Sequence, residues 1–477
     1  MTVVPPSEHR RSRLARPLAF VLALAAAAPT LAQGLPNEVE AALARAKVPR
    51  DAVTMLVVDA EGVRPPRLAW RSRVPVNPAS IMKLVTTYAA LDLLGPAFTW
   101  QTPVYVDGPV RNGVLEGNLY IQGQGDPKLV IERLWLLLRR VKGLGIQAVQ
   151  GDIVLDRSAF EVADSDPNAF DGEGRRPYNA APDALLVNFK SVLMTFVPDR
   201  GAQTARVSYE PPLAGVAMQT AVPLAAGECG DWRSALGGDF ADPARLGFAG
   251  SYPAACGEKT WAVAYADPRG YAARAVGGLW AEMGGRLQGQ VRDGRVPAGL
   301  RPAFEAASPP LAEVIRDINK YSNNVMAQQL FLTLGLQQKK RGTLDASRAT
   351  LRQWWSERIG TGEGQPVIDN GSGLSRDARI SAAALARMLQ VAWRSPLMPE
   401  LASSLPASGV DGSLRRALRS GGAAHLKTGT LRDAAGVAGY VHGASGRRWV
   451  VVAIANHDNA VAARPAFDAL VDWAAQD

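Results

Sequence analysis

Cysteine and histidine are scarce in this sequence of 477 residues, and their scarcity argues against two kinds of site. With only Cys229 and Cys256 present, a metal site built on two cysteines is disfavoured, and the question of a single disulfide between them stays open. The four histidines lack the H-x-x-x-H and H-x-x-E-H spacings of zinc peptidases; they are His9, His425, His442 and His457. Zinc-dependent hydrolysis is therefore disfavoured, and no metal or other cofactor is expected.

Clusters of basic residues with interleaved aromatic residues are also missing, although the formal net charge is +9. The basic runs Arg139-Arg140 and Lys339-Lys340-Arg341 are short and are interpreted as solvated faces. This pattern argues against a nucleic-acid partner. A mild excess of positive charge suits anionic surroundings such as a cell wall, without identifying a partner.

Long hydrophobic runs are absent as well, since no stretch reaches the ~20 apolar residues that a bilayer-spanning helix needs. The apolar run at residues 18–28 follows four arginines and precedes Thr30-Leu31-Ala32, which is typical of a secretory signal peptide cleaved after Ala32. Residues 1–32 carry four arginines and one glutamate, so their removal lowers the net charge from +9 to +6. We therefore expect an exported protein whose mature chain has no integral membrane segment.

The two ends of the mature chain have the pattern of one sheet domain. Residues 53–58 and 68–70 predict a hairpin, and residues 80–94 predict a helix that stops at Gly95-Pro96. Further helices are predicted at residues 311–318, 325–334, 344–359 and 381–393. Strands follow at residues 436–441 and 449–455, and a last helix from Pro465 is expected to cover the sheet.

Between these parts, residues 97–300 alternate short strand-like runs with turn residues, interrupted by one predicted helix at about residues 130–142. This texture indicates a mostly β insertion of one or two small domains. The predicted division is a signal peptide at 1–32, a first part of the main domain at 33–96, the insertion at 97–300, and a second part at 301–477.

Three short motifs carry the chemistry, and each alone is weak. In chain order they are S-x-x-K at Ser80 and Lys83, S-x-N at Ser322 and Asn324, and K-T-G-T at Lys427, Thr428, Gly429 and Thr430. Their order and settings make the set specific, because S-x-x-K is predicted to open a helix and K-T-G to precede a strand directly. Singly, each residue has an ordinary explanation as a helix cap, a surface charge or a helix break; together they favour catalysis.

A serine hydroxyl needs a nearby base to act as a nucleophile, and Lys83 lies one helical turn from Ser80. Lys83 must be neutral for part of the time, which burial and the nearby charge of Lys427 would favour by lowering its pKa. Ser322 and Asn324 can project into one cleft as a proton relay and an amide clamp. Lys427 can bind a substrate carboxylate, while the residues after it, Thr428, Gly429 and Thr430, form an edge strand that can hold an extended ligand.

The sequence resembles the low-molecular-mass penicillin-binding proteins of the D-alanyl-D-alanine carboxypeptidase/endopeptidase family, with a long insertion between the first two motifs. Further segments that resemble the family's sequences occur through most of the mature chain, at residues 117–121, 123–127, 151–154, 179–185, 369–375 and 405–412. The resemblance implies an α+β fold, in which a transpeptidase/β-lactamase-like domain with an antiparallel sheet flanked by helices is interrupted by mostly β inserted domains.

The same resemblance implies a periplasmic enzyme that forms an acyl-enzyme. Its expected partners are peptidoglycan stem peptides ending in D-Ala-D-Ala, with β-lactams as inhibitors. Ser80, Lys83, Ser322 and Asn324 would be catalytic, and Lys427 and the next three residues would bind substrate. A serine β-lactamase and a non-catalytic wall-binding scaffold are the alternatives.

Two details depart from simple patterns. The middle motif reads Ser-Asn-Asn where many relatives have Ser-Asp-Asn, but Asn323 is not expected to face the site. Gly123 and Gly125 suggest a dinucleotide loop, yet Lys128 occupies the third glycine position and no suitable βαβ unit is predicted, so we interpret the segment as a turn. The loop at residues 369–375 is expected near the cleft.

Overall fold

The computed structural model describes residues 34–163, 166–416 and 421–477. The predicted signal peptide therefore lies outside the described residues. The α-helices are α1 (Asn37–Ala46), α2 (Lys83–Leu94), α3 (Ile131–Gly143), α4 (Trp232–Leu236), α5 (Tyr271–Glu282), α6 (Leu311–Lys320), α7 (Asn324–Lys339), α8 (Leu344–Arg358), α9 (Ala382–Trp393), α10 (Met398–Ser404) and α11 (Arg464–Ala475).

The strands are β1 (Val53–Asp59), β2 (Leu68–Trp70), β3 (Gln101–Val106), β4 (Val110–Arg111), β5 (Val114–Leu115), β6 (Leu119–Gln122), β7 (Ala148–Val149), β8 (Ile153–Asp156), β9 (Ser191–Asp199), β10 (Thr204–Glu210), β11 (Ala217–Met218), β12 (Ala221–Ala225), β13 (Gly238–Asp239), β14 (Arg245–Phe248), β15 (Tyr252–Pro253), β16 (Lys259–Ala264), β17 (Arg286–Leu287), β18 (Val291–Asp293), β19 (Phe304–Ala307), β20 (Ala424–Thr430), β21 (Ala434–His442) and β22 (Arg448–Asn456).

The main sheet is antiparallel and joins the two ends of the chain in the order β2-β1-β22-β21-β20. Val53 lies opposite Ala455 and Asp59 opposite Trp449, so the first strand pairs along its whole length with the last. The predicted hairpin and the predicted interruption of one sheet by the middle of the chain are confirmed. Strand β20, which contains the K-T-G-T motif, is at the edge of this sheet.

Helices cover both faces of the main sheet, because nearly all its central side chains are apolar and need burial. On one face, α1 and α11 pack over alternate side chains such as Val57 and Val451. The other face supports the larger core, in which Val85 of α2, Phe331 of α7, Trp355 of α8 and Leu385 of α9 are buried together. The predicted covering role of the last helix is confirmed.

The middle of the chain forms further sheets around a core of their own. The larger ones have the orders β18-β8-β6-β3-β19 and β15-β12-β10-β9-β16. Their shared core contains side chains from α3 and α5, including Leu138 and Trp280, with Phe196 of β9. The sheet with β3 also contains β19, a few residues past the predicted end of the insertion.

Three local predictions in this region and at the site were wrong. The insertion contains α5 and the short α4 besides α3. Strands β6 and β8 are parallel and α3 connects them, so Gly123 and Gly125 do lie within a βαβ unit, directly after its first strand. The K-T-G motif does not precede a strand but lies inside β20, which begins at Ala424.

The two glycines of that segment still serve packing rather than phosphate binding. A Cβ atom on Gly123 would lie 2.4 Å from the carbonyl oxygen of Ala184, and one on Gly125 would lie 2.4 Å from the Phe160 ring. Each position therefore requires a residue without a side chain because another part of the chain passes close by.

Cys229 and Cys256 form a disulfide within the insertion, which settles the pairing that the sequence left open. It closes a loop whose ends are 27 positions apart. Within the described residues, no helix has both the length and the apolar character needed to cross a membrane. No group of three or more potential metal ligands occurs in that same part of the chain.

Candidate active site

Ser80 lies in a single 3₁₀ turn, Ala79–Met82, directly before α2. The side chain of Asn77 accepts a hydrogen bond from the backbone N–H of Ala79 at 2.9 Å, and Asn456 of β22 donates to the carbonyl oxygen of Asn77, also at 2.9 Å. Ala79 adopts a φ of 48°, a backbone conformation that residues other than glycine rarely adopt. The approach to Ser80 is thus fixed by contacts with the main sheet.

Lys83 points back toward Ser80, as its position one turn along the helix predicts. Its Nζ lies 2.9 Å from Ser80 Oγ, 2.6 Å from Asn324 Oδ1 and 2.6 Å from the carbonyl oxygen of Ser372. The side chain is fully buried, and burial, with a smaller contribution from the charge of Lys427, holds the pKa of Lys83 well below its ordinary value.

An ammonium could donate to all three of these oxygens, and the low pKa of Lys83 also makes the neutral amine accessible. A neutral lysine has two N–H donors and one lone pair. Asn324 Oδ1 and the Ser372 carbonyl can only accept, so they take the two donors. In the neutral form, the lone pair would then face the Ser80 hydroxyl, which is the one partner that can donate.

Ser322 and Asn324 lie in the break between α6 and α7. Ser322 adopts a left-handed φ of 57°, and Asn324 begins α7. Asn323 caps that helix, since its side chain accepts the backbone N–H of Met326 at 3.0 Å. The middle residue of the motif therefore has a structural role, and its neighbours face Lys83 and Lys427.

Lys427 is fully buried on β20. Its Nζ lies 2.9 Å from Ser322 Oγ and 2.7 Å from the carbonyl oxygen of Thr428. Burial lowers the pKa of Lys427 to about 7. Both lysines of the site thus lie in surroundings that disfavour their charged forms.

Gly429 allows β20 to pass close to the turn that carries Ser80. A Cβ atom at this position would lie 2.7 Å from the carbonyl oxygen of Pro78 and 3.1 Å from the backbone nitrogen of Ser80. A larger residue would push the strand away from the serine, so close packing requires glycine at this position of the motif.

The outer edge of β20 is polar beside the serine. The N–H of Leu426 points away from β21, because it donates to the carbonyl oxygen of Pro406 at 3.0 Å. Backbone groups alternate along a strand, so those of Thr428 and Thr430 point the same way. The hydroxyl of Thr428 lies 2.7 Å from Ser413 Oγ, and Thr430 lines the cleft.

The motifs meet in a cleft of about 640 Å³. Besides motif residues, its lining includes residues that carry no sequence signal: Phe170, Asp171, Tyr178, Arg376 and Arg432. Asp171 accepts from the Tyr178 hydroxyl at 2.9 Å, and the Arg376 guanidinium lies over the Phe170 ring. Leu374 also lines the cleft and comes from the loop at residues 369–375, which therefore does lie at the cleft as predicted.

Comparison with solved structures defines the class of fold. Penicillin-binding protein 4 (dacB) from Haemophilus influenzae superposes with a TM-score of 0.70 at 21% identity, covering 89% of this chain and 94% of that one. A predatory endopeptidase from Bdellovibrio bacteriovorus, solved with its immunity protein, has a TM-score of 0.51 at 15% identity and covers 89% of this chain and 93% of its own. The chain has a penicillin-binding protein fold, and the predicted fold class is confirmed.

Sequence comparison identifies the family. A D-alanyl-D-alanine carboxypeptidase from Actinomadura sp. (strain R39) is 28% identical over 77% of this chain and 71% of its own length. The D-alanyl-D-alanine carboxypeptidase DacB of Haemophilus influenzae is 24% identical over 79% and 80%. The model of the D-Ala-D-Ala carboxypeptidase 3 (S13) family matches residues 35–477. The chain belongs to this family and is a serine-type carboxypeptidase, as its sequence predicted.

Proposed function

We propose that this enzyme cleaves the terminal D-Ala-D-Ala bond of peptidoglycan stem peptides through an acyl-enzyme on Ser80. The observation that carries the proposal is the 2.9 Å contact between Ser80 Oγ and a buried Lys83 whose pKa is held low. A neutral amine at hydrogen-bond distance from a hydroxyl is the arrangement that general-base activation of a serine needs.

In the first step, Ser80 Oγ attacks the carbonyl carbon of the penultimate D-alanine and its proton passes to Lys83 Nζ. The carbonyl oxygen becomes an oxyanion, for which the backbone N–H groups of Ser80 and Thr430 are candidate donors. Gly429 keeps this part of β20 close to Ser80. Such donors are effective because they are aimed in advance at the charge that develops.

Collapse of this intermediate breaks the C–N bond, and the departing amine must receive the proton that Lys83 took from Ser80. Ser322 is suited to relay it, because its hydroxyl lies 2.9 Å from Lys427 Nζ and it lines the cleft beside Ser80. Free D-alanine leaves and an ester on Ser80 remains. Water then attacks the ester while Lys83 takes one of its protons, the bond between the acyl carbon and Ser80 Oγ breaks, and that proton returns to Ser80 Oγ.

Asn324 and the K-T-G-T segment would hold the substrate. The Asn324 amide nitrogen is directed to the Tyr178 carbonyl oxygen at 3.3 Å, so this amide lies at the cleft wall where a peptide backbone can replace that weak contact. Lys427 is the proposed partner of the terminal carboxylate, and the outer edge of β20 at Thr428 and Thr430 would pair with the extended peptide.

The cellular setting is proposed on the same basis. The peptidoglycan substrate and the sequence of residues 1–32 support export to the periplasm with loss of a signal peptide. The same site would also cleave cross-linked peptides, which is endopeptidase activity. We retain the division into a main domain at residues 33–96 and 301–477 and an insertion at 97–300 as a proposal.

Acylation by penicillin tests the proposal, since a β-lactam offers a strained acyl group and a carboxylate to the same residues. Intact-protein mass spectrometry should find one long-lived adduct on the wild type and none on Ser80→Ala. Ser381→Ala is the matched control: Ser381 also begins a helix, where it accepts the N–H of Ala384, so the change costs a cap but should leave labelling intact.

Labelling that survives Ser80→Ala would contradict the assignment. Products from defined peptidoglycan fragments then separate the activities, because free D-alanine reports carboxypeptidase action and cleaved cross-links report endopeptidase action. Rapid turnover of a chromogenic cephalosporin would instead favour a β-lactamase.

A further inference from the structure

We propose that Lys320 and Asp411 are positioning residues, whose ion pair ties the turn carrying Ser322 to the segment that supports the K-T-G strand. The inference rests on the proposed function, because it concerns how the S-x-N and K-T-G motifs are held together. Neither residue lines the cleft, so both act through other residues.

Lys320 is the last residue of α6 and lies two positions before Ser322. It is buried, and its Nζ lies 2.6 Å from Asp411 Oδ2 and 2.9 Å from the carbonyl oxygen of Leu405. A buried ammonium without a charged partner is strongly unfavourable, so this end of α6 is stable only where Asp411 can reach it. The turn after α6 is thereby fixed from its N-terminal side.

Asp411 in turn organises the segment that follows α10. Its second oxygen, Oδ1, accepts the backbone N–H of Ala407 at 2.9 Å, so one carboxylate joins the two ends of a short loop. Gly412 lies directly against α6: a Cβ atom there would be 2.6 Å from the carbonyl oxygen of Lys320. Helix end and loop therefore form one closely packed unit.

This loop supports β20 at its outer edge. Ser408 donates its backbone N–H to the carbonyl oxygen of Ala424 at 2.9 Å, and Leu426 donates to Pro406 at 3.0 Å. Two residues past Asp411, the Ser413 hydroxyl lies 2.7 Å from that of Thr428. The ion pair thus links two elements that both contact β20. The loop does so through Ser413, and the turn does so through Ser322, which contacts Lys427.

The turn needs such support because Ser322 has a left-handed φ of 57°. A non-glycine residue keeps this conformation only when its surroundings impose it. Asn323 fixes the C-terminal side of the turn by capping α7, and Lys320 fixes the N-terminal side. Loss of the ion pair should let Ser322 move away from Lys427 while both elements stay folded.

The chain offers a matched control in Lys190 and Asp183 of the insertion. Their ion pair measures 2.9 Å, and the lysine side chain is as buried as that of Lys320, at 8% against 6% exposed. Lys190→Met removes a buried charge without touching either motif, and Asp183 keeps its ion pair with Arg157. It measures what a purely structural loss does to activity.

The test uses Asp411→Asn and Asp411→Glu in the full mature chain. Asparagine keeps an oxygen for the Ala407 N–H but loses the charge opposite Lys320, whereas glutamate restores the charge. We expect the second-order rate constant for penicillin acylation to fall about ten- to a hundredfold in Asp411→Asn, the effect of misplacing reacting groups by about 1 Å. Asp411→Glu should recover part of it, and Lys190→Met should acylate like the wild type.

A pH profile distinguishes positioning from loss of stability. The nearby charge of Lys427 contributes to the low pKa of Lys83. Because the loop that contains Asp411 supports β20, loss of the ion pair should let β20 carry Lys427 away from Lys83 and weaken this effect. The acidic limb of the acylation profile, which reports Lys83, should then move to higher pH in Asp411→Asn and stay in place in Lys190→Met.

The outcomes are separable from those of the proposed function. If the wild type shows no Ser80-dependent adduct, the proposed function fails, and the positioning role, which rests on it, is overturned with it. If the wild type is acylated on Ser80 but Asp411→Asn matches Lys190→Met in both rate and pH profile, the positioning role is wrong and the ion pair is merely structural.

Discussion

Replacing Lys427 by glutamine decides between two roles for this residue. The ammonium has three N–H donors, and two are already directed to Ser322 Oγ and the Thr428 carbonyl. The third is left for a substrate carboxylate. Alternatively, the charge of Lys427 serves chiefly to lower the pKa of Lys83.

The size of the effect follows from the kind of contact. A hydrogen bond between an ammonium and a carboxylate is worth roughly 1.5–3 kcal/mol, which is about ten- to a hundred-and-fiftyfold in kcat/KM. Glutamine can keep a neutral contact with Ser322 but not the charge. We therefore expect Lys427→Gln to lose this factor on a peptide that ends in free D-Ala-D-Ala, and much less on the same peptide with an amidated terminus.

The pH dependence gives a second measurement with a defined sign. Recognition of a carboxylate needs the protonated form of Lys427, which is lost as pH rises through its pKa of about 7. Since kcat/KM reports the free enzyme, it should decline above about this pH for the free acid and not for the amide. Acylation also needs neutral Lys83, which sets the acidic limb for both substrates.

The assay compares kcat/KM for the two peptides across pH in the wild type and Lys427→Gln. Lys190→Met, which removes a buried lysine of the insertion, is the control for loss of stability. Equal losses on both substrates, with an acidic limb moved to higher pH, would refute carboxylate recognition and assign Lys427 to tuning Lys83.

Two further predictions concern single groups. Lys83→Arg introduces a guanidinium, which does not lose its proton in proteins and cannot act as a base. Acylation of Ser80 by penicillin should therefore become slower by about a hundredfold or more. A rate within a few-fold of wild type would show that Lys83 is not the base. Replacing Cys229 and Cys256 together by serine opens a loop with ends 27 positions apart, which should lower the free energy of unfolding by about 3.5 kcal/mol in denaturant titrations while leaving kcat unchanged. An unchanged midpoint would mean that the disulfide contributes nothing to stability.

The sequence predicted the parts of the site that chemistry dictates. Ser80 and Lys83 share a helix turn, so their contact depends only on local geometry, and the three motifs were expected to converge. The main sheet was predictable for a similar reason: strands rich in valine and alanine at both chain ends need a common partner.

Features that depend on distant contacts were not predictable. Helix α5 was missed because Gly277 and Gly278 lie inside it and glycine normally disfavours helices. In the structure, a Cβ atom on Gly278 would lie 2.3 Å from the carbonyl oxygen of Pro212, so close packing requires glycine there. Asp171 and Tyr178 likewise reach the cleft from a segment without a recognisable motif.

The pairing of β1 with β22 has a consequence for how the chain acquires activity. These strands are about 400 residues apart in sequence, and the lysine of β20 is synthesised long after the serine. Local contacts form quickly, whereas contacts between distant segments are delayed by the entropy of closing the intervening loop. We expect the insertion to fold before the main sheet forms around Ser80. A chain that appears N-terminus first should therefore have no activity on the cell wall until its last strands have joined the main sheet.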